Sequence, residues 1–273
     1  MDPLSGIILG LVQGLTEFLP ISSSGHLVLA REMLDLTEVG GLAFDAVLHF
    51  ATALAVLIYF RVDIAAIGSA VLRRMMNRSR IDEEERGHQI TGYAILIGTL
   101  PAVAFGLLLE SPIETLFRNP VLVASALLAG SAIMFGAEYV QKRRVPKQAV
   151  TLRDGLVIGF FQALALIPGM SRSGMTISGG LFLGLSRDKA ARFGFLLAVP
   201  IILGAGSKKL LDIGADGLLH ELGVSLLLGA ITAFCSGLIA IHYLLRYLRT
   251  SSLGIFIGYR IVLACVVLGV AFF

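Results

Sequence analysis

Long apolar segments separated by short polar ones make up most of this chain. Six of the apolar runs approach the roughly 20 residues that a helix needs to cross the hydrocarbon core of a bilayer. They cover residues 42–60, 90–109, 120–140, 190–206, 222–245 and 254–273. Because such runs are too long for strands, the pattern predicts an all-α polytopic membrane protein with six full transmembrane helices.

The composition supports a membrane protein. Of the 273 residues, 56% are hydrophobic and only 15% are charged, and the mean hydropathy is +0.86. A soluble domain carries roughly 25% charged residues. The net charge of +3 is modest and comes without a basic stripe or interleaved aromatic residues, so we expect membrane lipid as the surroundings and no nucleic-acid partner.

Two segments, 10–26 and 159–175, resemble each other. A shift of 149 positions superposes identical residues, namely Gly10, Gln13, Leu15, Ser22, Ser24 and Gly25 on Gly159, Gln162, Leu164, Ser171, Ser173 and Gly174. Each copy places Gly, Ser, Pro and ionisable residues inside an apolar stretch. Paired interruptions in the two halves of a membrane protein point to a buried binding site.

The apolar runs beside these interruptions are too short to cross a membrane. Residues 4–12 would rise about 13 Å as a helix, which is under half of a hydrocarbon core of about 30 Å. Residues 22–35, 153–166 and 174–186 are also short or interrupted. We therefore predict two re-entrant helical hairpins whose tips meet near mid-membrane.

Basic residues orient the predicted helices. The segments 61–89 and 141–153 are rich in Arg and Lys, and the positive-inside rule places both in the cytoplasm. The first half then crosses the membrane an odd number of times. A second half with the same order of hairpin and helices therefore has the opposite orientation in the membrane. We predict one integral membrane domain of two inverted repeats, about 1–140 and 150–273. Two lysines on the outer side are a mild exception, partly offset by nearby acids: Lys208, Lys209, Asp212, Asp216 and Glu221.

The first predicted tip carries acid and imidazole groups. Gln13 and Glu17 are four residues apart and share one face of a helix. A carboxylate at membrane depth is costly without a partner or water, so Glu17 is a candidate functional residue, with a structural salt bridge as the alternative. His26 directly follows Gly25 where the chain re-enters a helix, and we expect it to act with Glu17 and the serines 22–24, with a structural histidine as the alternative.

The second tip has the composition of an anion site. A glycine-rich turn that leads into a helix exposes backbone N–H groups, and the helix dipole adds positive potential. Arg172 adds a planar cation suited to phosphate oxygens. The remaining candidate ligand-binding residues are Gly169, Ser171, Ser173, Gly174 and Thr176. A Gly/Ser packing motif is the alternative interpretation.

Together the tips offer an anion cradle and acid–base groups, which is what phosphoryl transfer requires. Glu17 could also hold a divalent cation, since Mg²⁺ and Ca²⁺ prefer carboxylate oxygens. Because apolar helices surround the site, we expect a phosphate on a lipid tail as substrate. A transporter or flippase of a lipid phosphate or small anion is the competing interpretation, and phosphate release would distinguish the two.

The segments QGLTE, FLPISSSGH and PGMSRSGMT resemble the two signature regions of the bacterial undecaprenyl pyrophosphate phosphatases, the bacitracin-resistance family. The resemblance covers essentially the whole chain. It implies hydrolysis of undecaprenyl diphosphate to undecaprenyl phosphate and inorganic phosphate with a divalent cation, Mg²⁺ or Ca²⁺. It also implies a place in the bacterial cytoplasmic membrane, a site that opens towards the outer face, and recycling of the lipid carrier for peptidoglycan synthesis.

The resemblance assigns roles to individual residues. The family's acidic motif falls on Gln13 and Glu17, and its other two motifs fall on Ser23, Gly25 and His26 and on residues 168–176. Some members carry Glu where this chain has Gln13, so Glu17 must carry the acid chemistry and Gln13 is at most a supporting metal ligand or a hydrogen-bonding group. The implied clamp on the diphosphate is Arg172 with the N–H groups around Ser173 and Gly174.

Several points stay open at the level of sequence. The attacking group is Ser23 with His26 as its base, His26 itself, or water. Asp45 and His49 are either support for the site or a structural pair, and we expect a structural role for Arg260. A homodimer is also left open, with small residues such as Gly223, Gly229 and Gly237 available for helix contacts.

Overall fold

The computed structural model describes residues 1–36, 41–76, 82–108, 120–147, 149–215 and 218–272. Apart from one β-bridge between Lys147 and Leu185, the regular structure in these residues is helical. The helices are α1 (Pro3–Phe18), α2 (Ser23–Met33), α3 (Gly41–Tyr59), α4 (Arg61–Met75), α5 (Glu83–Leu108), α6 (Pro120–Gln141), α7 (Leu152–Leu164), α8 (Arg172–Phe182), α9 (Arg187–Ala215), α10 (Leu218–Leu248) and α11 (Gly254–Phe272).

Each of the six predicted spans coincides with a helix. Three of these helices, α5, α6 and α10, are long and apolar enough to cross a membrane. The pair α3–α4 passes the same criterion as a unit, with a bend of 77° between its two helices. The described residues therefore form an all-helical membrane protein in which three helices, or four if the bent pair counts as one span, could cross the membrane by their length and composition. The side chains of Lys208, Lys209, Asp212, Asp216 and Glu221 lie outside the described residues.

Side-chain caps start the first helix of each predicted hairpin. Before α1, Asp2 accepts hydrogen bonds from the backbone N–H and the hydroxyl of Ser5, which lower the pKa of the Asp2 carboxyl. Before α7, Thr151 and Asp154 form a reciprocal capping box, and Lys147 forms an ion pair with Asp154. The caps satisfy N–H groups that would otherwise lack a partner within the helix.

Both hairpins are present as helix pairs. Helix α1 packs on α2, and α7 packs on α8. Ser22 and Ser171, which the duplication equates, open the second helix of each pair with φ of 75° and 71°. A left-handed backbone is uncommon for a residue with a side chain, so the same strained turn occurs at both tips. Helix α1 is longer than its nine-residue apolar run because polar residues continue it to Phe18.

Glycines let the helix pairs α1–α10 and α5–α7 approach closely. A Cβ on Gly10 would strike the carbonyl of Gly229, and a Cβ on Gly159 would strike the carbonyl of Gly98. One turn earlier, Gly6 meets Ser225 and Gly155 meets Ala94 in the same way. Gly229 and Gly98 are 131 positions apart, as are Ser225 and Ala94, so the two helix pairs make corresponding contacts.

Two of the three glycines considered for helix contacts pack against other helices of this same chain. Gly229 lies against Phe44 and Leu48, and Gly237 lies against Phe18. Gly223 instead breaks α10, with φ of 33° and ψ of −118°.

Candidate active site

Glu17 lies at the centre of a polar cluster inside the helical bundle. Its side chain is 2% exposed. The carboxylate atom Oε2 accepts a hydrogen bond of 2.9 Å from Gln13 Nε2 and one of 2.7 Å from Ser23 Oγ. Gln13 lies one turn earlier on α1, and Ser23 is the first residue of α2. The turn of the first hairpin therefore brings a hydroxyl against the carboxylate.

The second hairpin supplies the counter-ion. Arg172, the first residue of α8, forms an ion pair with Glu17 Oε1. This contact lacks hydrogen-bond geometry, since Oε1 has no hydrogen-bond partner. Nearby, Ser173 Oγ donates to the carbonyl of Leu19 at 3.0 Å. The two tips are in direct contact, as the repeated motif predicts.

His49 on α3 joins this cluster. Its Nδ1 lies 2.9 Å from Gln13 Nε2 and 3.4 Å from Glu17 Oε2, and its side chain is 37% exposed. Asp45, one turn earlier, instead forms an ion pair with Arg31 of α2 at 2.5 Å. Asp45 and His49 therefore have different roles. His49 belongs to the site, and Asp45 links α3 to α2.

Both ring nitrogens of His26 are hydrogen-bonded to groups other than the Ser23 hydroxyl. Its Nδ1 lies 2.7 Å from the carbonyl of Ser22, and its Nε2 lies 2.6 Å from the hydroxyl of Tyr259 on α11. Because a carbonyl only accepts, Nδ1 carries a proton, and a neutral ring then accepts from Tyr259 through Nε2. The two rings are also stacked, at 5.6 Å between centroids.

The hydroxyl groups of the second tip mostly serve its own backbone. Ser171 Oγ accepts from the N–H of Gly174 at 3.2 Å and lies 3.2 Å from Ser173 Oγ. In the first tip, Ser22 and Ser24 repeat the contact between hydroxyls at 3.2 Å. Thr176 is buried and donates to the carbonyl of Arg172 at 3.0 Å. Arg172 and the start of α8 are therefore the groups best placed to meet an anion.

Sequence comparison identifies the family of this chain. The family described as "Bacitracin resistance protein BacA" matches residues 6–266, which include both tips. This chain belongs to the BacA family. It is similar to the undecaprenyl-diphosphatase of Mycobacterium sp. (strain KMS), with 44% identity over 272 residues, 98% of this chain and 96% of the relative.

Two other relatives are 40% identical to this chain. The undecaprenyl-diphosphatase of Moorella thermoacetica is 40% identical over 99% of this chain and 98% of its own length. That of Chloroherpeton thalassium is 40% identical over 96% of this chain and 94% of its own length.

In this BacA chain, helix α11 contacts both tips through neighbouring residues. Tyr259 bonds His26, as described above. Arg260 is fully buried and donates to the carbonyls of Gly169 and Leu127 at 3.1 Å and to Ser131 Oγ at 3.2 Å. The bond to Gly169 holds the turn before α8, where φ of 96° and the nearby carbonyl of Val123 exclude a side chain. Arg260 therefore has the structural role expected from the sequence, although its partner is the second tip.

The oxygen atoms around Glu17 fit a divalent cation only in part. Gln13 Oε1 and Glu17 Oε1 are buried and accept no hydrogen bond. Among the residues that the structure describes, no three His, Cys, Asp or Glu side chains cluster as a metal cage would require. Mg²⁺ in phosphate-handling sites is often held by one or two carboxylates and completed by water and substrate phosphates. The pair Glu17 and Gln13 suits a site of this kind, in which the protein supplies few of the ligands.

Proposed function

We propose that this BacA family chain is an undecaprenyl-diphosphatase. It hydrolyses undecaprenyl diphosphate to undecaprenyl phosphate and inorganic phosphate, and so returns the lipid carrier to cell-wall synthesis and supports bacitracin resistance. The observation that carries this proposal is the contact of Glu17 with both Arg172 and Ser23. It places a carboxylate, a hydroxyl nucleophile and a cation suited to phosphate at the junction of two hairpins. The relatives at 40–44% identity bear this enzyme name over almost their whole length.

Substrate binding begins with a change of partner for Arg172. Its guanidinium is 21% exposed and now neutralises Glu17. A diphosphate at the tip of α8 would compete for it, because phosphate oxygens match the planar fork of Arg better than a single carboxylate contact does. The dipole of α8 adds positive potential at the same place, whereas the N–H of Gly174, which the family motif suggests for the clamp, is already bonded to Ser171 Oγ. Transfer of Arg172 to the phosphate would free Glu17 Oε1, while Glu17 Oε2 keeps its hydrogen bond from Ser23.

Ser23 is then the best-placed nucleophile. Its hydroxyl already donates to Glu17 Oε2, whereas both ring nitrogens of His26 have other partners. Ser23 Oγ attacks the terminal phosphorus while its proton passes to Glu17. The bond from that phosphorus to the bridging oxygen breaks, and undecaprenyl phosphate leaves. Water then attacks the phosphoserine, releases inorganic phosphate and restores the Ser23 hydroxyl.

A divalent cation, Mg²⁺ or Ca²⁺, completes the proposed site. Glu17 and Gln13 would hold it together with oxygens of the substrate diphosphate. When bound, it neutralises the charge that the phosphate oxygens carry during transfer.

For the membrane arrangement we propose six full transmembrane helices and two re-entrant hairpins, in two inverted repeats of about 1–140 and 150–273. This arrangement adds α9 and α11 to the spans given above and treats α3 as a full span. The equivalent glycine contacts of α1–α10 and α5–α7 support it. The basic segments 61–89 and 141–153 then lie in the cytoplasm, and the site opens towards the outer face of the bacterial cytoplasmic membrane.

A lipid-phosphate carrier is the second candidate function. The equivalent hairpins and the duplicated helix contacts favour it, because inverted repeats with broken helices are common in transporters. A carrier does not require a hydroxyl held against a carboxylate, which is why hydrolysis is the better account of Ser23 and Glu17.

The experiment that tests the proposal is phosphate release by the purified protein from undecaprenyl diphosphate with Mg²⁺. We expect steady release by the parent chain, and none above background from Glu17→Gln or Arg172→Met. Gly68→Ala is the matched control, since a Cβ at Gly68 meets nothing within 4 Å. Binding of the lipid without release by the parent would favour the carrier.

A further inference from the structure

The orientation of the Gln13 amide follows from its two neighbours. The atom assigned as Nε2 lies 2.9 Å from Glu17 Oε2 and 2.9 Å from His49 Nδ1. A flipped amide would place its oxygen against the carboxylate oxygen, and two acceptors at that distance repel each other. The NH₂ group carries two hydrogens, so it donates one to Glu17 and one to His49.

This orientation fixes the state of the His49 ring. To accept from Gln13, Nδ1 must be without a proton, and a neutral imidazole then carries its proton on Nε2. An imidazole nitrogen has one lone pair, so Nδ1 accepts a single hydrogen bond, and it accepts that bond from the Gln13 amide. The 3.4 Å separation from Glu17 Oε2 is therefore a close approach of two acceptor atoms, bridged by the NH₂ group of Gln13.

The same orientation leaves the amide oxygen unused. Gln13 is fully buried, and its Oε1 has no hydrogen-bond partner among the described residues. An unsatisfied buried acceptor is destabilising, because it has lost its hydrogen bonds to water. This oxygen is therefore available to a ligand, and an amide oxygen is a ligand for Mg²⁺ and Ca²⁺.

We propose that His49 is a positioning residue that holds the Gln13 amide through Nδ1 and thereby presents Gln13 Oε1, beside Glu17, to a divalent cation. The inference rests on the proposed function for the identity of the cation. Glu17 alone cannot fix the amide, because the last torsion of a glutamine is broad and one hydrogen bond still permits rotation about it. The second bond from α3 removes that freedom. The ion pair of Arg31 with Asp45, one turn from His49, fastens α3 at this level.

The test compares two substitutions of His49. Asn places an amide oxygen near the position of Nδ1 and can still accept from Gln13, whereas Leu cannot. We expect His49→Leu to raise the Mg²⁺ concentration for half-maximal phosphate release about 10- to 100-fold, the usual effect of losing a group that orients a metal ligand. The rate at saturating Mg²⁺ should fall much less. His49→Asn should stay close to the parent, as should His242→Leu, which removes an exposed histidine bonded to Tyr59.

Two further measurements do not depend on turnover. Binding of Mn²⁺ to the protein with methylenediphosphonate, followed by electron paramagnetic resonance, should weaken in His49→Leu and in Gln13→Ala to a similar extent, with no further loss in the double variant. Nitrogen-15 spectra of histidine-labelled parent protein should show His49 with an unprotonated Nδ1 and a protonated Nε2.

The outcomes separate this inference from the proposed function. A protonated Nδ1 on His49, or unchanged Mn²⁺ binding in His49→Leu, would overturn the positioning role even if phosphate release is normal. A fall in the rate at saturating Mg²⁺ with no change in Mn²⁺ binding would also overturn it. If the parent releases no phosphate, the proposed function fails, while the Mn²⁺ and nitrogen-15 measurements still decide the role of His49.

Discussion

Arg172 and Glu17 are 155 positions apart in the sequence and form an ion pair between the two hairpin tips. The carboxylate is 2% exposed and the guanidinium 21%. Neither tip alone balances its charge. The two tips must therefore pack together in the fold for the charges of the site to be paired. Loss of either partner leaves an uncompensated charge in the protein interior.

The ion pair predicts that substituting both residues together restores stability lost in the single variants but does not restore phosphate release. Arg172→Met and Glu17→Gln should each lower the free energy of unfolding by a few kcal/mol, since breaking a buried pair costs about 3–5 kcal/mol. The double variant should recover much of that loss because no charge is left unpaired. Denaturant unfolding in detergent measures the stability. A double variant whose loss equals the sum of the single losses would contradict the ion pair.

The proposed nucleophile is tested at two neighbouring serines. Ser23→Ala removes the hydroxyl that contacts Glu17, and we expect phosphate release to fall at least about a thousandfold, as for other covalent nucleophiles. Ser24→Ala is the matched control, because Ser24 Oγ contacts Ser22 Oγ. Mass spectrometry after an acid quench should find phosphate on Ser23. Phosphate release within tenfold of the parent in Ser23→Ala would instead favour direct attack by water.

Tyr259 is predicted to hold His26. Tyr259→Phe keeps an aromatic ring beside the imidazole and removes the hydroxyl that donates to Nε2. Loss of one such hydrogen bond is worth about 0.5–1.5 kcal/mol, and we expect a drop of that size in the free energy of unfolding. In a His26→Ala background the same change should have almost no effect. Tyr243→Phe on the exposed face of α10 is the control. Equal effects of Tyr259→Phe in both backgrounds would show that the two residues are not coupled.

The duplicated glycine contacts predict matched packing defects. Gly10→Ala and Gly159→Ala each place a Cβ against a backbone carbonyl, of Gly229 and Gly98 respectively. Overpacking of this kind typically costs about 1–3 kcal/mol. Gly68→Ala has open space and should gain up to about 1 kcal/mol from helix propensity. Thermal unfolding of the three variants measures the difference. A neutral result at Gly159 with a large loss at Gly10 would contradict the equivalence of the two helix pairs.

The sequence predicts the hairpins well because their signal is local. Polar residues interrupt apolar runs at two corresponding places, and the structure has a strained serine at each. Helix lengths are predicted less well. The apolar run 4–12 stops where Gln13 begins to face the site, yet α1 continues to Phe18. Helix α4 (Arg61–Met75) lies in the basic segment 61–89, for which the sequence predicts a side of the membrane and no helix bounds.

The partners of the site residues are mostly hidden in the sequence. His49 meets Gln13 from 36 positions away, and Tyr259 meets His26 from 233 positions away. Neither distance leaves a periodic signal. An arginine inside the last apolar run does indicate a buried partner, but it does not reveal that the partner is the turn at Gly169. Gln162 has the place of Gln13 in the second copy and is buried, but Leu166 stands where the first copy has Glu17, so the duplicated frame does not duplicate the site.

The most direct test of the account is phosphate release in proteoliposomes that carry undecaprenyl diphosphate with a radiolabelled terminal phosphate. The account predicts Mg²⁺-dependent release of labelled inorganic phosphate by the parent chain and by Gly68→Ala, together with loss of release in both Glu17→Gln and Arg172→Met. Full release by either of these two variants, or movement of intact labelled lipid across the bilayer without any release by the parent, would contradict it.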